Sequence, residues 1–206
     1  MKYYKALLFG SIGSIVETSE IQRKSFNKAF KQYGLDWNWT KREYQNLLSK
    51  SGGKNRISRY AKKKKIEVNS VYLRNLKTKF FNNYLKKNHL KLRPGVKNLI
   101  SLCKKENIKI AFVSSTSTNN INAILYCLRN SINKRDFNFI GNAKLVKKYK
   151  PNPDIYLLAL KKLKLKANDC VAIEDSQESL NSARRARIKC IICLLYTSDA
   201  ADDRMR

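Results

Sequence analysis

Four short polar stretches stand where apolar runs stop, and together they could do chemistry on a phosphate. Ala6–Phe9 halts at Gly10-Ser-Ile-Gly-Ser14, the apolar run 108–113 halts at Ser114-Ser115, Lys150 precedes Pro-Asn-Pro-Asp154, and Cys170-Val-Ala-Ile173 halts at Glu174-Asp175-Ser176. A hydroxyl, a lysine and paired carboxylates suit a phosphoryl group held beside a divalent cation. The lysine is a point charge for phosphoryl oxygens, and hard carboxylates hold Mg²⁺ next to substrate phosphate. Gly10 and Gly13 predict a tight turn whose N–H groups point inward toward an anion. A glycine loop alone is a weak signal, because many buried first strands end in glycine.

For these stretches to meet, the chain must bring strand ends together, and its pattern predicts that. From residue 94 onward short apolar runs alternate with helical periodicity: a helix over 94–105 opened by Pro94, a strand over 108–113, a helix to residue 128, a strand over 137–140, a helix after Asp154, strands over 170–173 and 188–193. Such alternation implies a mostly parallel sheet covered on both faces, whose carboxyl ends converge on one crevice whatever their separation in sequence. Between the first strand and this region lies a helical block. Helices are expected over 19–33 with Gly34 as stop, from the Thr40/Glu43 capping box to residue 48, over 55–64, and over 70–87 behind an Asn69 cap. The expected fold class is α/β: a doubly wound parallel sheet built from residues 1–17 and 91–193, with a small helical cap inserted at 18–90.

Composition bounds the rest. The 206 residues suffice for one good core with a small second module. No stretch has the apolar length of a membrane helix, and the start lacks a cleavable leader pattern, so a cytoplasmic home without membrane contact is expected. The five cysteines then read as reduced thiols. Cys190 and Cys193 form a C-x-x-C, but residues three apart on a strand face opposite sides, which argues against a redox or zinc pair. His89, the one histidine, has no assigned role.

The net charge of +29, from 44 basic and 15 acidic residues, has two readings. One is attraction to polyanions or phosphorylated metabolites. The other is lysine placed wherever a surface tolerates it. The scattered lysines, their excess over arginine and the lack of interleaved aromatics favour the second, and nucleic acid is not the expected partner.

The motifs together resemble the haloacid dehalogenase superfamily of phosphohydrolases, in its small-capped branch of β-phosphoglucomutase-like and CbbY-like phosphatases. Leu35-Asp-Trp-Asn-Trp39, Glu43-Tyr-Gln-Asn-Leu-Leu48 and Ser51-Gly-Gly-Lys54-Asn-Arg56-Ile57 carry the likeness in the cap; Lys150-Pro-Asn-Pro-Asp154 and Glu174-Asp-Ser176 carry it in the core. The resemblance implies a sugar-phosphate phosphatase, acting on substrates such as xylulose-1,5-bisphosphate with Mg²⁺. It implies Ser114 and the Ser115 N–H as ligands of the transferring phosphoryl group, and Lys150 as the neutraliser of its charge. It implies Glu174 and Asp175 as Mg²⁺ ligands, and Glu17, Lys54 and Arg56 as contacts to the non-reacting part of the substrate. A monomer and a phosphorylated sugar partner are expected.

One motif departs. The family's first motif is Asp-x-Asp-Gly-Thr, with one aspartate as nucleophile and metal ligand and the other as acid and base. Here Gly10 and Ile12 hold those positions and Ser14 stands for the threonine. Glycine cannot attack phosphorus and isoleucine cannot carry a proton. Glu17 and Glu20 lie beyond the loop in the matching register, and Gln22 offers no base. Losing a nucleophile that works within a unit leaves only residual catalysis, on the order of 10³-fold over water. Phosphate monoesters need accelerations approaching ~10²¹. The expectation is a pseudoenzyme that binds a phosphosugar, with weakened Mg²⁺ affinity. An active hydrolase with an unrecognised nucleophile and a basic scaffold are the alternatives. Ser179 and Arg187 also occupy family glycine positions, the second at a helix end that wants a left-handed residue.

From Leu194 the text changes. The stretch Leu194 to Arg206 has no lysine, and it resembles a translated sequencing adapter. It is expected to be foreign to the natural chain, with no ordered role for residues 199–206.

Overall fold

The computed structural model describes residues 4–48, 52–87 and 90–193. His89, Ser51 and the tail from Leu194 lie outside them. The sheet has five parallel strands in the order β3-β2-β1-β4-β5: β1 Ala6–Phe9, β2 Lys109–Val113, β3 Phe139–Gly141, β4 Cys170–Glu174 and β5 Lys189–Ile192. The connections run outward in both directions from β1, so the strand order reverses between β1 and β4. In a doubly wound sheet that reversal opens a crevice at the carboxyl ends of the two strands.

Period-two alternation divides the strand residues between two cores. Leu7, Phe9, Ile110 and Phe112 face helices α5 (Val96–Lys105) and α6 (Thr118–Cys127). Ala6, Leu8, Ala111 and Val113 face α7 (Asp154–Leu163) and α8 (Gln177–Arg185). The near-continuous apolar strands thus reflect burial on both faces.

Between β1 and α5 the chain makes four helices: α1 Ser19–Tyr33, α2 Lys41–Leu47, α3 Gly53–Lys64 and α4 Ser70–Lys87. They bury a cluster of their own, in which Trp39 meets Phe30 edge-on at 4.7 Å and Phe26 at 4.9 Å between ring centroids. Phe81 and Leu85 of α4 instead join the sheet core beside α6. Where the chain leaves and re-enters the sheet layer, Val16 bridges Leu92 antiparallel and the Arg93 N–H donates to the Ile15 carbonyl at 2.9 Å.

Local signals placed most boundaries. Thr40 and Glu43 form the reciprocal capping box of α2, Gly34 ends α1 in the left-handed region, and the Asn69 side chain accepts from the Tyr72 N–H at 2.9 Å. Three expectations are corrected. The helix after Pro94 begins at Val96, because Gly95 has φ 81°, outside helical space. Strand β3 starts two residues later than expected, because the Phe137 N–H still closes the turn over Lys134–Asp136. Helix α3 starts earlier, at Gly53, so the second glycine of the pair is its first residue rather than part of a break.

Candidate active site

The site is built at the ends of three adjacent strands. Phe9 is in register with Phe112 of β2 and with Ile173 of β4, so Gly10 stands level with Val113 and Glu174. Neighbouring strands lie about 4.8 Å apart, and this sets Gly10, Ser114 and Glu174 around one crevice. Lys150 reaches it from the loop before α7. Its Nζ donates to the Gly10 carbonyl at 2.6 Å and to Glu174 Oε1 at 2.5 Å. The Tyr156 hydroxyl, in the first turn of α7, donates to the same Oε1 at 2.5 Å.

Glu174 is fully buried, and its Oε2 has no hydrogen-bond partner. Burial pushes its carboxyl up from the usual range, opposed by the Lys150 charge and by the two hydrogen bonds. The Tyr156 phenol is pushed up further, by burial and by the Glu174 charge beside it. Asp175 is also shifted up by burial, against a hydrogen bond from Ser11 that favours its ionised form.

The loop after β1 is not the turn that its glycines predict. Neither Gly10 nor Gly13 has a positive φ. The Gly10 N–H stays in the sheet, donating to the Ile173 carbonyl at 2.9 Å, and those of Ser14, Ile15 and Val16 turn back onto the loop itself. What the glycines supply is room. A Cβ on Gly10 would come within 2.0 Å of Glu174 Oε1 and 2.3 Å of the Tyr156 hydroxyl; one on Gly13 would meet Asp175 Oδ2 at 2.0 Å. Ser11 and Ser14 cap each other across the short helical turn Ile12–Ser14. Ile12 packs against the sheet core.

Ser114 is buried and accepts from the Thr116 N–H at 3.1 Å, which leaves its own hydroxyl proton free to donate. The Ser115 hydroxyl is buried with no partner. Among the described residues the Ser114 hydroxyl and the third proton of Lys150 are therefore left as donors for an anion in the crevice, with the Ser115 hydroxyl unpaired next along the chain.

The remaining candidates are placed apart from this cluster. Glu17 is exposed and caps α1, accepting from the Ser19 N–H at 2.5 Å. Lys54 is exposed on α3. Arg56 is buried, with its Nε donating to the Leu47 carbonyl at 2.9 Å and its guanidinium 5.5 Å from the Tyr44 ring centroid. Burial holds the Arg56 pKa below its ordinary value, partly opposed by the Tyr44 and Glu178 charges. Glu178 lies on α8, three residues past Asp175.

Two residues escaped the sequence reading. Tyr156 sits within an apolar helical run where its ring reads as core, and only its hydroxyl distinguishes it. Lys77 is the other. It is only 8 % exposed, donates to Gln22 Oε1 at 3.1 Å and lies 4.6 Å from the Phe81 ring centroid. Burial, with Arg56 and Arg74 nearby, lowers its pKa to about 7. The signal was present: Leu73, Lys77 and Phe81 recur at four-residue spacing, which puts a lysine on the buried stripe of α4.

Comparison with known proteins agrees with this architecture. The model of the haloacid dehalogenase-like hydrolase family matches residues 13–193, beginning just past Gly10 and Ile12. Protein CbbY of Cereibacter sphaeroides is 34% identical over 191 residues, which is 91% of this chain and 83% of that protein. The CbbY-like protein of Arabidopsis thaliana is 34% identical over 94% of this chain and 65% of its own length. Among solved structures, CbbY from Rhodobacter sphaeroides in complex with xylulose-1,5-bisphosphate superposes with a TM-score of 0.83 at 32% identity, covering 94% of this chain and 87% of that one. β-Phosphoglucomutase from Clostridium difficile shares the fold, with a TM-score of 0.73 at 23% identity. With that family match over most of its length, the chain belongs to the haloacid dehalogenase-like hydrolases.

Proposed function

We propose that this chain binds a phosphorylated sugar in the crevice at the ends of β1, β2 and β4 without hydrolysing it. One observation carries the reading. At Gly10 there is no side chain to attack phosphorus, and the space a Cβ would need is filled by Glu174 and Tyr156. Ile12, at the acid/base position, is partly buried and packs against the core. Ser114, Ser115 and Lys150 remain as donors for the phosphoryl group. Removing two aspartates lessens the carboxylate repulsion that a phosphate dianion would meet. The similarity to CbbY, whose solved complex holds xylulose-1,5-bisphosphate, makes a phosphosugar the first ligand to test. The helical insert at 18–90 acts as the cap, with Arg56, Lys54 and Glu17 toward the remote part of the ligand.

The residues present do not fit the Mg²⁺ of the active relatives. No group of three acidic, histidine or cysteine side chains converges among the described residues. Glu174 is drawn onto Lys150 and Tyr156, and Asp175 is left as the one other carboxylate. Phosphosugar binding is therefore expected to rest on Lys150 and the serines, and to be indifferent to Mg²⁺.

The test is phosphate release from sugar mono- and bisphosphates, including xylulose-1,5-bisphosphate, with Mg²⁺ present. The expected result is no turnover by this chain, together with saturable thermal stabilisation by the ligand that Lys150→Ala abolishes and EDTA leaves unchanged. A Gly10→Asp, Ile12→Asp double variant, with Tyr156→Phe added to remove one contact and free the Glu174 carboxylate to swing aside, is expected to recover measurable release. Turnover by the unaltered chain would overturn the reading, as would stabilisation that survives Lys150→Ala.

A further inference from the structure

At the opposite end of β4 from the crevice, where the strand begins, lies a second pocket of about 370 Å³. Its walls come from three segments. Tyr4 precedes β1, Asn168 belongs to the turn before β4, and Arg184, Arg187 and Lys189 come from the end of α8 and the start of β5. Cys170 also lines it.

The charge there is one-sided. Among the described residues the side chains of Arg184 and Arg187 make no hydrogen bond or ion pair, and the Lys189 ammonium has only the Tyr4 ring, 5.9 Å from its Nζ to the centroid. Among the described residues no carboxylate lines the pocket. The nearest acid in sequence, Asp169, is committed elsewhere, to Lys5 Nζ at 3.2 Å and the Lys166 N–H at 3.1 Å. Arg184 suits a helix C-terminus on its own account, since cations complement the dipole. Arg187 has no such explanation. It stands past the helix at φ 59°, in left-handed backbone that favours glycine. Lys65 and Lys164 take the same left-handed backbone, so what marks Arg187 is its unpaired guanidinium on the wall of a pocket. The volume lies in the range of small-molecule sites, which combine apolar or aromatic walls with a few placed polar groups.

We propose that this pocket binds a nucleoside diphosphate, the diphosphate spanning Arg184, Arg187 and Lys189 and the base lying against Tyr4. Three cations match the charge of a diphosphate better than that of a single phosphate. Guanidinium groups pair with phosphate bidentately, and an aromatic side chain gives a base a stacking face. The site shares no residue with the crevice, so it stands or falls apart from the phosphosugar reading.

The experiment is calorimetric titration of the full chain with ADP and with inorganic pyrophosphate at fixed ionic strength. It compares the unaltered protein with Arg187→Gly, Tyr4→Leu and Lys150→Ala. Arg187→Gly suits the local backbone, so a loss of binding in it cannot be blamed on failure to fold. The expected outcome is saturable ADP binding, weakened at least tenfold by Arg187→Gly and unchanged by Lys150→Ala. ADP is expected to bind more tightly than pyrophosphate, with Tyr4→Leu removing that difference. Absence of saturable ADP binding, or binding indifferent to Arg187→Gly, would overturn the site. Loss with Lys150→Ala would place the anion in the crevice instead, and equal affinity for pyrophosphate and ADP would overturn the nucleoside assignment.

Discussion

Lys77 shows how one residue can set a property of the fold. A lysine on the buried stripe of α4, with Gln22 as its hydrogen-bond acceptor and no carboxylate pairing with it among the described residues, carries a desolvated charge. Its pKa is lowered to about 7 from an ordinary 10.5. The folded state therefore gives up this proton more readily than the unfolded chain, which makes the unfolded chain the better proton binder between those two values. Stability rises with pH wherever the unfolded state binds more protons, so the penalty from Lys77 is full below about pH 7 and fades toward 10.5. Lys77→Met is expected to stabilise by a few kcal/mol at pH 6, as apolar replacement of buried charge does elsewhere, with the gain shrinking by pH 10. Urea unfolding of both proteins at the two pH values checks this, and a pH-independent gain would rule out the titration. Four-residue periodicity made the burial of Lys77 legible, whereas its lack of a carboxylate partner depended on which helices pack against it. The same holds at Gly10. The missing nucleophile could be read directly, but the way Glu174, Tyr156 and Lys150 close over the gap joins residues far apart in the chain.

Among the elements, those fixed by local chemistry were the legible ones. The Thr40/Glu43 capping box and Gly34 sit where their side chains or backbone preferences put them, whereas Arg187 holds the left-handed region against its preference. Arg187→Gly is expected to raise stability by about 1 kcal/mol, because glycine takes the left-handed region without the Cβ penalty; denaturant midpoints with an unchanged slope would measure it. The helical insert depends on a different kind of contact. Trp39 is fully buried among Phe26, Phe30, Tyr44 and Tyr60. Trp39→Ala is expected to cost about 3–5 kcal/mol of local stability. Hydrogen exchange should quicken in α1–α3 well before the central strands β1 and β4. Uniform loss across the sheet would mean that the two layers unfold as one. Periodicity left Trp37 and Trp39 between two expected helices, since a linker and a core segment share composition until the helices around them are placed. Pro94 misled for a related reason: a proline near a helix start is a good signal, but the neighbouring Gly95, at φ 81°, decided where the helix could begin.

At the scale of the whole molecule, charge acts on both stability and recognition. With 44 basic against 15 acidic residues the folded chain repels itself, and compaction brings those charges closer than they are in the unfolded chain. Screening shortens the reach of that repulsion, from about 10 Å at 0.1 M salt to about 3 Å at 1 M. The melting temperature is therefore expected to rise by several degrees between 0.05 and 0.5 M sodium chloride. Most proteins stabilised by surface ion pairs would show the opposite trend or none. The ion pairs among the described residues are mostly exposed, such as Lys24 with Glu20 at 3.8 Å and Lys5 with Asp169 at 3.2 Å, and such pairs are worth little. The buried Lys150–Glu174 pair is shielded from solvent and should not follow bulk salt. A melting temperature that falls as chloride is added would show that specific pairing outweighs the general field. A rise of the same size in a Lys150→Ala variant would place the effect in the surface charge as a whole and leave the crevice out of it.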